Sequence, residues 1–266
     1  MNRVLLILIA IAILSCLLMM MIGNCPNEPA FSPDAPPSSG LHVVLQMPFH
    51  AHCAARQREY HKALLATLDH PHVSVVHVLA ESVAHQLAMP EHPKLQTYNI
   101  AHRITYADAV RYANLYLINA TTLICMADVS VSGAHWDLLT PDTLAGHMYG
   151  LTRHEQAGCA DQCDCIRNWG GCYDGFVFVP PLLGGEELLE RISFRMGGLW
   201  GSENRFMWEV HLSNPQLRIS NPCRTFRLIH WHCIGGGRYR PTQDERRING
   251  EGRSLEPFPT RWHPRE

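Results

Sequence analysis

The residues able to do chemistry stand where the pattern of the chain predicts element ends. Asp128 follows the apolar run Thr122 to Ala127 in TTLICMAD, a carboxylate placed where a buried strand stops. Asp174 precedes the aromatic run GFVFVPP, and Glu203 opens ENRFMWEVHL. His230 and His232 alternate in TFRLIHWHC. Carboxylate oxygens are the ligands a hard cation such as Mg2+ wants, and an imidazole suits Mn2+ better. A carboxylate within hydrogen-bond reach of a hydroxyl is also the usual acceptor of its proton. Each residue has a plainer use as well: Asp starts turns, Glu caps helices, and His serves in cores or on surfaces.

The elements that would position these groups alternate. LHVVLQM (41–47) predicts a strand and RQREYHKALLATLDH (56–70) a helix, with Tyr60, Leu64, Leu65 and Leu68 on one face. VSVVHVLAE (73–81) and LQTYNI (95–100) predict further strands. TYADAVRYANLYLI (105–118) predicts a helix with Thr105 as N-cap and Asp108 three residues on. The strand 122–126 then delivers Asp128. Such alternation argues for a parallel α/β sheet, whose ligands sit beyond the carboxyl ends of the strands. The second half is less regular. Strands are expected at 146–153, 175–181, 217–220 and 225–233, and a helix at 203–212.

The N-terminus reads as a membrane segment. Val4 to Ile22 carries no charge, and at about 1.5 Å per residue it would span roughly 28 Å. Arg3 precedes it and no Lys or Arg follows until Arg56, so the N-terminus is expected in the cytosol and the rest across the membrane. The rival, a cleaved signal peptide, would usually have a shorter apolar region of about 7–15 residues ending at small side chains. Residues 23–40 are Pro- and Ser-rich and read as a stalk. Residues 241–266 form a polar, Pro- and Arg-rich tail.

Net charge is −2 and no basic stripe occurs, so no nucleic-acid partner is expected. Ten cysteines are present, four of them as Cys159, Cys163, Cys165 and Cys172. Beyond a secretory membrane the default for these is disulfides, with a zinc site as the alternative. Spacing does not give the pairing. Asn119-Ala120-Thr121 is a glycosylation sequon.

Short motifs in order give a resemblance. They are Arg103-Ile104-Thr105-Tyr106, Tyr112-Ala113-Asn114, Met126-Ala127-Asp128-Val129 and Thr152-Arg153. Asp174-Gly175-Phe176-Val177-Phe178, Gly198 through Glu203-Asn204-Arg205, Asn221-Pro222, His230-Trp231-His232 and Arg238-Tyr239 follow. From about 43 to 240 the chain resembles nucleotide-diphospho-sugar transferases of the GT-A fold, and more closely a family of glycosyltransferase-like domains with N-A-D-I, D-x-W-x-F and N-P…H-x-H motifs. The resemblance implies a single α/β, GT-A-like domain with a Rossmann-like mixed sheet over 41–240; the apolar run and its flanking charges place it behind a transmembrane signal anchor at 4–22 and a cytosolic 1–3. Met126 departs from the family Asn, and of the usual Asp-x-Asp only the last Asp remains. The insertion at Cys159–Cys172 is also extra.

What the resemblance implies for each residue is specific. Arg56, Arg103, Asp128 and Arg153 would bind the donor, with Arg58 beside Arg56. Asp128, His230 and His232 would hold Mn2+ or Mg2+. Glu203 would take the proton of the acceptor hydroxyl, giving inversion, and Asp174 would be the second catalytic carboxylate. The expected protein is a type II membrane glycosyltransferase with its domain in the Golgi or ER lumen. It would move a sugar from a nucleotide-sugar donor to a glycan, protein or lipid. Other readings are a degenerate sugar- or protein-binding relative and a Cys/His metal-binding protein.

Overall fold

The computed structural model describes residues 40–49, 53–156, 165, 173–197 and 201–231. The expected membrane span at 4–22, most of the stalk, the tail, Cys159, Cys163, Cys172 and His232 lie outside the described residues. Among the described residues no helix is long and apolar enough to cross a membrane.

The first half alternates as the sequence predicts. Strand β1 (Leu41–Gln46) leads to helix α1 (Ala54–Leu68), then β2 (Val73–Ala80), the short α2 (Val83–Leu87) and β3 (Leu95–Asn99). Helix α3 (Tyr106–Tyr116) and β4 (Thr122–Met126) follow. All residues of β1 and β4 are buried. Strands covered on both faces read as unbroken apolar runs, which is why these are legible in the sequence. Helix α3 starts where a capping box forces it to. Thr105 Oγ1 accepts from the Asp108 amide at 3.1 Å, and Asp108 Oδ2 accepts from the Thr105 amide at 2.8 Å.

The chain then makes β5 (Val129–Ser132), a 3-10 turn (His135–Leu138), α4 (Pro141–Leu144), β6 (His147–Leu151), β7 (His154–Glu155) and β8 (Gly175–Phe178). Helices α5 (Gly185–Arg191) and α6 (Ser202–Ser213) and strands β9 (Arg218–Ser220) and β10 (Arg227–His230) complete it. Of the strand expected over 225–233, β10 covers Arg227–His230, and the Trp231 amide carries its register with β5 one pair further by donating to the Asp128 carbonyl at 2.8 Å. Elements α2, β5, α4, β7 and α5 have no counterpart among the expected ones. Most span two to five residues, too few to show a period.

A seven-stranded mixed sheet has the order β3-β2-β1-β4-β8-β6-β9, and a three-stranded sheet the order β5-β10-β7. Strands β3, β2, β1 and β4 are parallel, while β8 runs antiparallel to both β4 and β6. The architecture is therefore a mixed, Rossmann-like α/β sheet. The chain winds from β1 outward to β3, then returns to β4 on the other side of β1. That reversal makes a topological switch point between β1 and β4.

Aromatic packing holds α3 and α6 onto the sheet. Tyr106 stacks on Phe206 at 4.5 Å between ring centroids and meets Phe176 edge-on at 5.9 Å. All three are fully buried, each worth about 1.5–3 kcal/mol of burial. Gly175 is needed where β8 starts, since a Cβ there would lie 2.5 Å from Leu228 Cδ1 and 3.0 Å from Leu123 Cδ1. The close approach sets the place of its neighbour Asp174.

Candidate functional site

Most of the charged candidates gather at one edge of the large sheet. Arg56 stands in the first turn of α1, just beyond β1, and Asp128 just beyond β4. Arg56 Nη2 donates to Asp128 Oδ2 at 2.6 Å, bridging the switch point. The same guanidinium donates to Glu59 Oε2 at 2.7 Å and to the Tyr60 hydroxyl at 3.1 Å, and it lies 4.6 Å from the centre of the Tyr60 ring.

The small sheet brings His230 to Asp128. In its register His230 of β10 faces Val129 of β5 on one side and Glu155 of β7 on the other. His230 Nε2 lies 3.3 Å from Asp128 Oδ2, and Nδ1 lies 2.8 Å from Glu155 Oε2. Arg153 continues the chain of charges. Its Nε donates to Glu155 Oε1 at 2.7 Å and its Nη1 to Asp174 Oδ1 at 2.7 Å. Asp174 is held by its backbone between neighbouring strands: its amide donates to Leu151 O at 2.9 Å and its carbonyl accepts from the Met126 amide at 3.1 Å. The resulting order, Glu59–Arg56–Asp128–His230–Glu155–Arg153–Asp174, alternates in sign.

Burial and pairing compete along this order. Burial pushes the Asp128 carboxyl up, but the bond to His230, its charge and the charges of Arg56 and Arg153 hold it well below the usual carboxylate range. Burial pushes His230 down, but its bonds to Asp128 and Glu155 win and raise it from 6.5 to about 9. His230 is therefore an imidazolium at neutral pH, donating from both nitrogens. At Asp174 burial wins over Arg153, and the carboxyl is raised.

Glu203 sits beside this chain of charges, in the first turn of α6. Gly201 caps that helix with φ +83, a left-handed conformation that favours glycine. Burial, reinforced by the charge of Asp174, raises Glu203 from 4.5 to about 7. The backbone at the helix start and Ser202 offset only part of this. A carboxylate with such a value is matched to accept a proton near neutral pH.

The structure thus brings Arg56, Asp128, Arg153, Asp174, Glu203 and His230 to one edge. Arg103 is not paired with any of them; its Nε lies 3.7 Å from Glu81 Oε1, just beyond β2, and its charge acts on Tyr60, the ring that Arg56 contacts. The sequence does not single out Glu59 and Glu155 as site residues. Both carry a signal all the same: Glu59 lies one helical turn after Arg56, and Glu155 lies two residues after Arg153.

In this arrangement two of the expected metal ligands, Asp128 and His230, are engaged with each other. Asp128 Oδ2 is shared by Arg56 and His230. Among the described residues no group of three or more His, Cys, Asp or Glu side chains is arranged to hold a metal ion.

One expected disulfide is seen. Cys165 of the cluster pairs outside it, with Cys223, 58 residues on. This excludes Cys165 as a zinc thiolate. The bridge backs β7: the Cys165 amide donates to Arg153 O at 2.9 Å, and His154 Nε2 bonds Cys223 O at 2.7 Å. Nearby, Asn221 Nδ2 donates to Thr152 Oγ1 at 2.9 Å, joining the Thr-Arg and Asn-Pro motifs.

No family model and no curated protein matches the chain. Among solved structures, one described as a putative glucose-1-phosphate thymidylyltransferase from Bacillus anthracis, in complex with a sucrose, aligns with a TM-score of 0.36 at 6% identity. The alignment covers 71% of this chain and 89% of that one. A likeness at this level carries no argument about activity.

Proposed function

We propose that the chain is a glycosyltransferase of the GT-A type, moving a sugar from a nucleotide-sugar donor to a hydroxyl of a glycan, protein or lipid. The observation that carries the reading is the Arg56–Asp128 pair across the β1–β4 switch point, with Glu203 at the same edge. Ligands of open α/β sheets sit in that crevice. The four parallel strands followed by a mixed half also agree with what the motif resemblance implies.

In this proposal the acceptor hydroxyl gives its proton to Glu203. Its oxygen forms a bond to the anomeric carbon from the face opposite the leaving group. The bond from that carbon to the diphosphate oxygen breaks, and the nucleoside diphosphate leaves with the electron pair. Arg56 and Arg153 are the cations at the switch point that meet its charge. Asp128 and Asp174 orient donor groups. Mn2+ or Mg2+, which the resemblance implies, would have to displace Arg56 and His230 from Asp128, so both ions belong in the test. The N-terminal anchor and a lumenal setting remain part of the proposal.

The test is release of the nucleotide by the full chain in detergent, a nucleoside diphosphate from UDP-, GDP- and dTDP-sugars or CMP from CMP-sugars, with candidate acceptors and each ion present or absent. Glu203→Gln should bind the productive donor and lose turnover by about 100-fold or more. Turnover unchanged in Glu203→Gln would contradict the assigned base. Absence of both binding and release would favour the degenerate binding relative.

A further inference from the structure

The turn between α3 and β4 carries a motif that the proposed chemistry does not use. Asn119-Ala120-Thr121 is the one N-x-Ser/Thr sequence in the chain. Asn119 is exposed in that turn, with φ +60. Asn is among the few side chains that tolerate this left-handed conformation. Its backbone amide donates to Pro180 O at 3.0 Å and so pins the turn. Asn119 precedes β4, and Asp128 follows it. The five residues of β4, at about 3.3 Å each, separate the two by roughly 16 Å along the strand. A bulky group on Asn119 therefore leaves the switch point open.

The surface around the turn is apolar. Leu115, in the last turn of α3, is 61% exposed, Ile118 48% and Leu183 53%. The segment before Leu183 is tied to this end of α3. The Asn114 side chain donates to Leu182 O at 3.2 Å and accepts from the Leu182 amide at 3.0 Å. Exposed apolar side chains gathered in one place promote association unless something covers them. The Cys165–Cys223 disulfide agrees with an oxidising compartment, and a secretory lumen is also where Asn-x-Ser/Thr sequences receive glycans.

We propose that Asn119 carries an N-linked glycan, which stands over Leu115, Ile118 and Leu183. The inference rests on the lumenal setting and not on the transferase reading. The co-substrate is a lipid-linked diphospho-oligosaccharide, and a cellular transferase joins it to the chain. Asn119 Nδ2 loses a proton and bonds the anomeric carbon of the first sugar. The bond from that carbon to the diphosphate breaks, and the lipid diphosphate leaves with the electron pair. In the fold Thr121 is buried, and its hydroxyl donates to Leu139 O at 3.1 Å. The hydroxyl that the motif requires is therefore reachable only before β4 docks, so the transfer precedes folding.

The test is expression of the full chain in a eukaryotic secretory host. A peptide N-glycosidase should lower the mass of the wild type and leave Asp at position 119, which mass spectrometry reads. Asn119→Asp, which also accepts a left-handed turn, should run at the deglycosylated size from the start. Thr121→Ser keeps both the motif and the hydroxyl that bonds Leu139, and should stay glycosylated. Thiol alkylation before and after reduction reports the disulfide in the same sample. Wild type oxidised at Cys165 and Cys223 yet insensitive to the glycosidase would overturn the glycan, and Asn119 would then serve the turn alone. Both cysteines reduced and no glycan would overturn the lumenal setting and the inference with it, whereas donor binding is measured separately. Removing the glycan from the folded protein should shift its sedimentation toward larger species. An unchanged profile would overturn the covering role.

Discussion

Arg56 and Asp128 lie 72 positions apart in the chain, and the guanidinium of one is 2.6 Å from the carboxylate of the other. The pair joins the segments that leave β1 and β4, where the winding of the parallel half reverses. Little of either side chain is exposed, 19% for Arg56 and 17% for Asp128. Arg56→Ala should therefore cost about 1.5–3 kcal/mol, the range for a hydrogen bond to a charged group. Urea denaturation measures it. A loss under about 0.5 kcal/mol, typical of an idle surface residue, would mark the pair as incidental.

Glu203 gives a pH dependence whose sign is set by its raised value. Unfolded, the carboxyl ionises near 4.5; folded, it holds its proton to about 7. Between these values the folded state binds more protons, so this residue makes stability fall as pH rises through that window. Activity should do the opposite, rising along a limb centred near 7 as the base forms. Glu203→Gln should flatten the stability slope and abolish turnover. A rate profile with its rising limb near 4.5 would show that the base is not Glu203.

His230 acts in a higher window. Its folded value is raised from 6.5 to about 9, so the imidazolium's pairing with Asp128 and Glu155 stabilises the fold fully below about 6.5. That contribution is lost as pH rises through about 9. Melting temperatures of wild type and His230→Gln, taken from about pH 6 to 10, should converge at the alkaline end. A constant gap over the whole range would mean that the ring's charge is not what matters.

The order of elements is largely legible in the sequence, and the site only in pieces. Thr122 to Met126 reads as a strand because both faces are buried, and Thr105 with Asp108 reads as a helix start because the capping chemistry is local. Asp128 and Glu203 are visible as carboxylates at element ends. Their partners are not. His230 meets Asp128 across 102 positions, a contact made by the register of the small sheet. Strands β5 and β7 carry that register and are too short to announce themselves. The cysteine cluster suggests disulfides without their pairing, and Cys165 reaches Cys223, a residue with no local signal.

That disulfide should matter to the site as well as to the fold. It closes a separation of 58 residues, and Cys223→Ser should cost about 2–5 kcal/mol. Because Cys165 and Cys223 bond the backbone and side chain around Arg153 and His154, donor binding should weaken with it. Chemical denaturation and a donor titration of the same variant measure both. Full donor affinity in a destabilised variant would separate the bridge from the site.

A thermal-shift screen of the full chain decides whether the β1–β4 switch point holds a nucleotide sugar. The ligands are UDP-, GDP-, CMP- and dTDP-sugars, each with and without Mn2+ and Mg2+. A site there predicts a rise in melting temperature with one nucleotide class, lost in Asp128→Asn. No rise with any donor at millimolar concentration, or a rise that Asp128→Asn leaves intact, would contradict it.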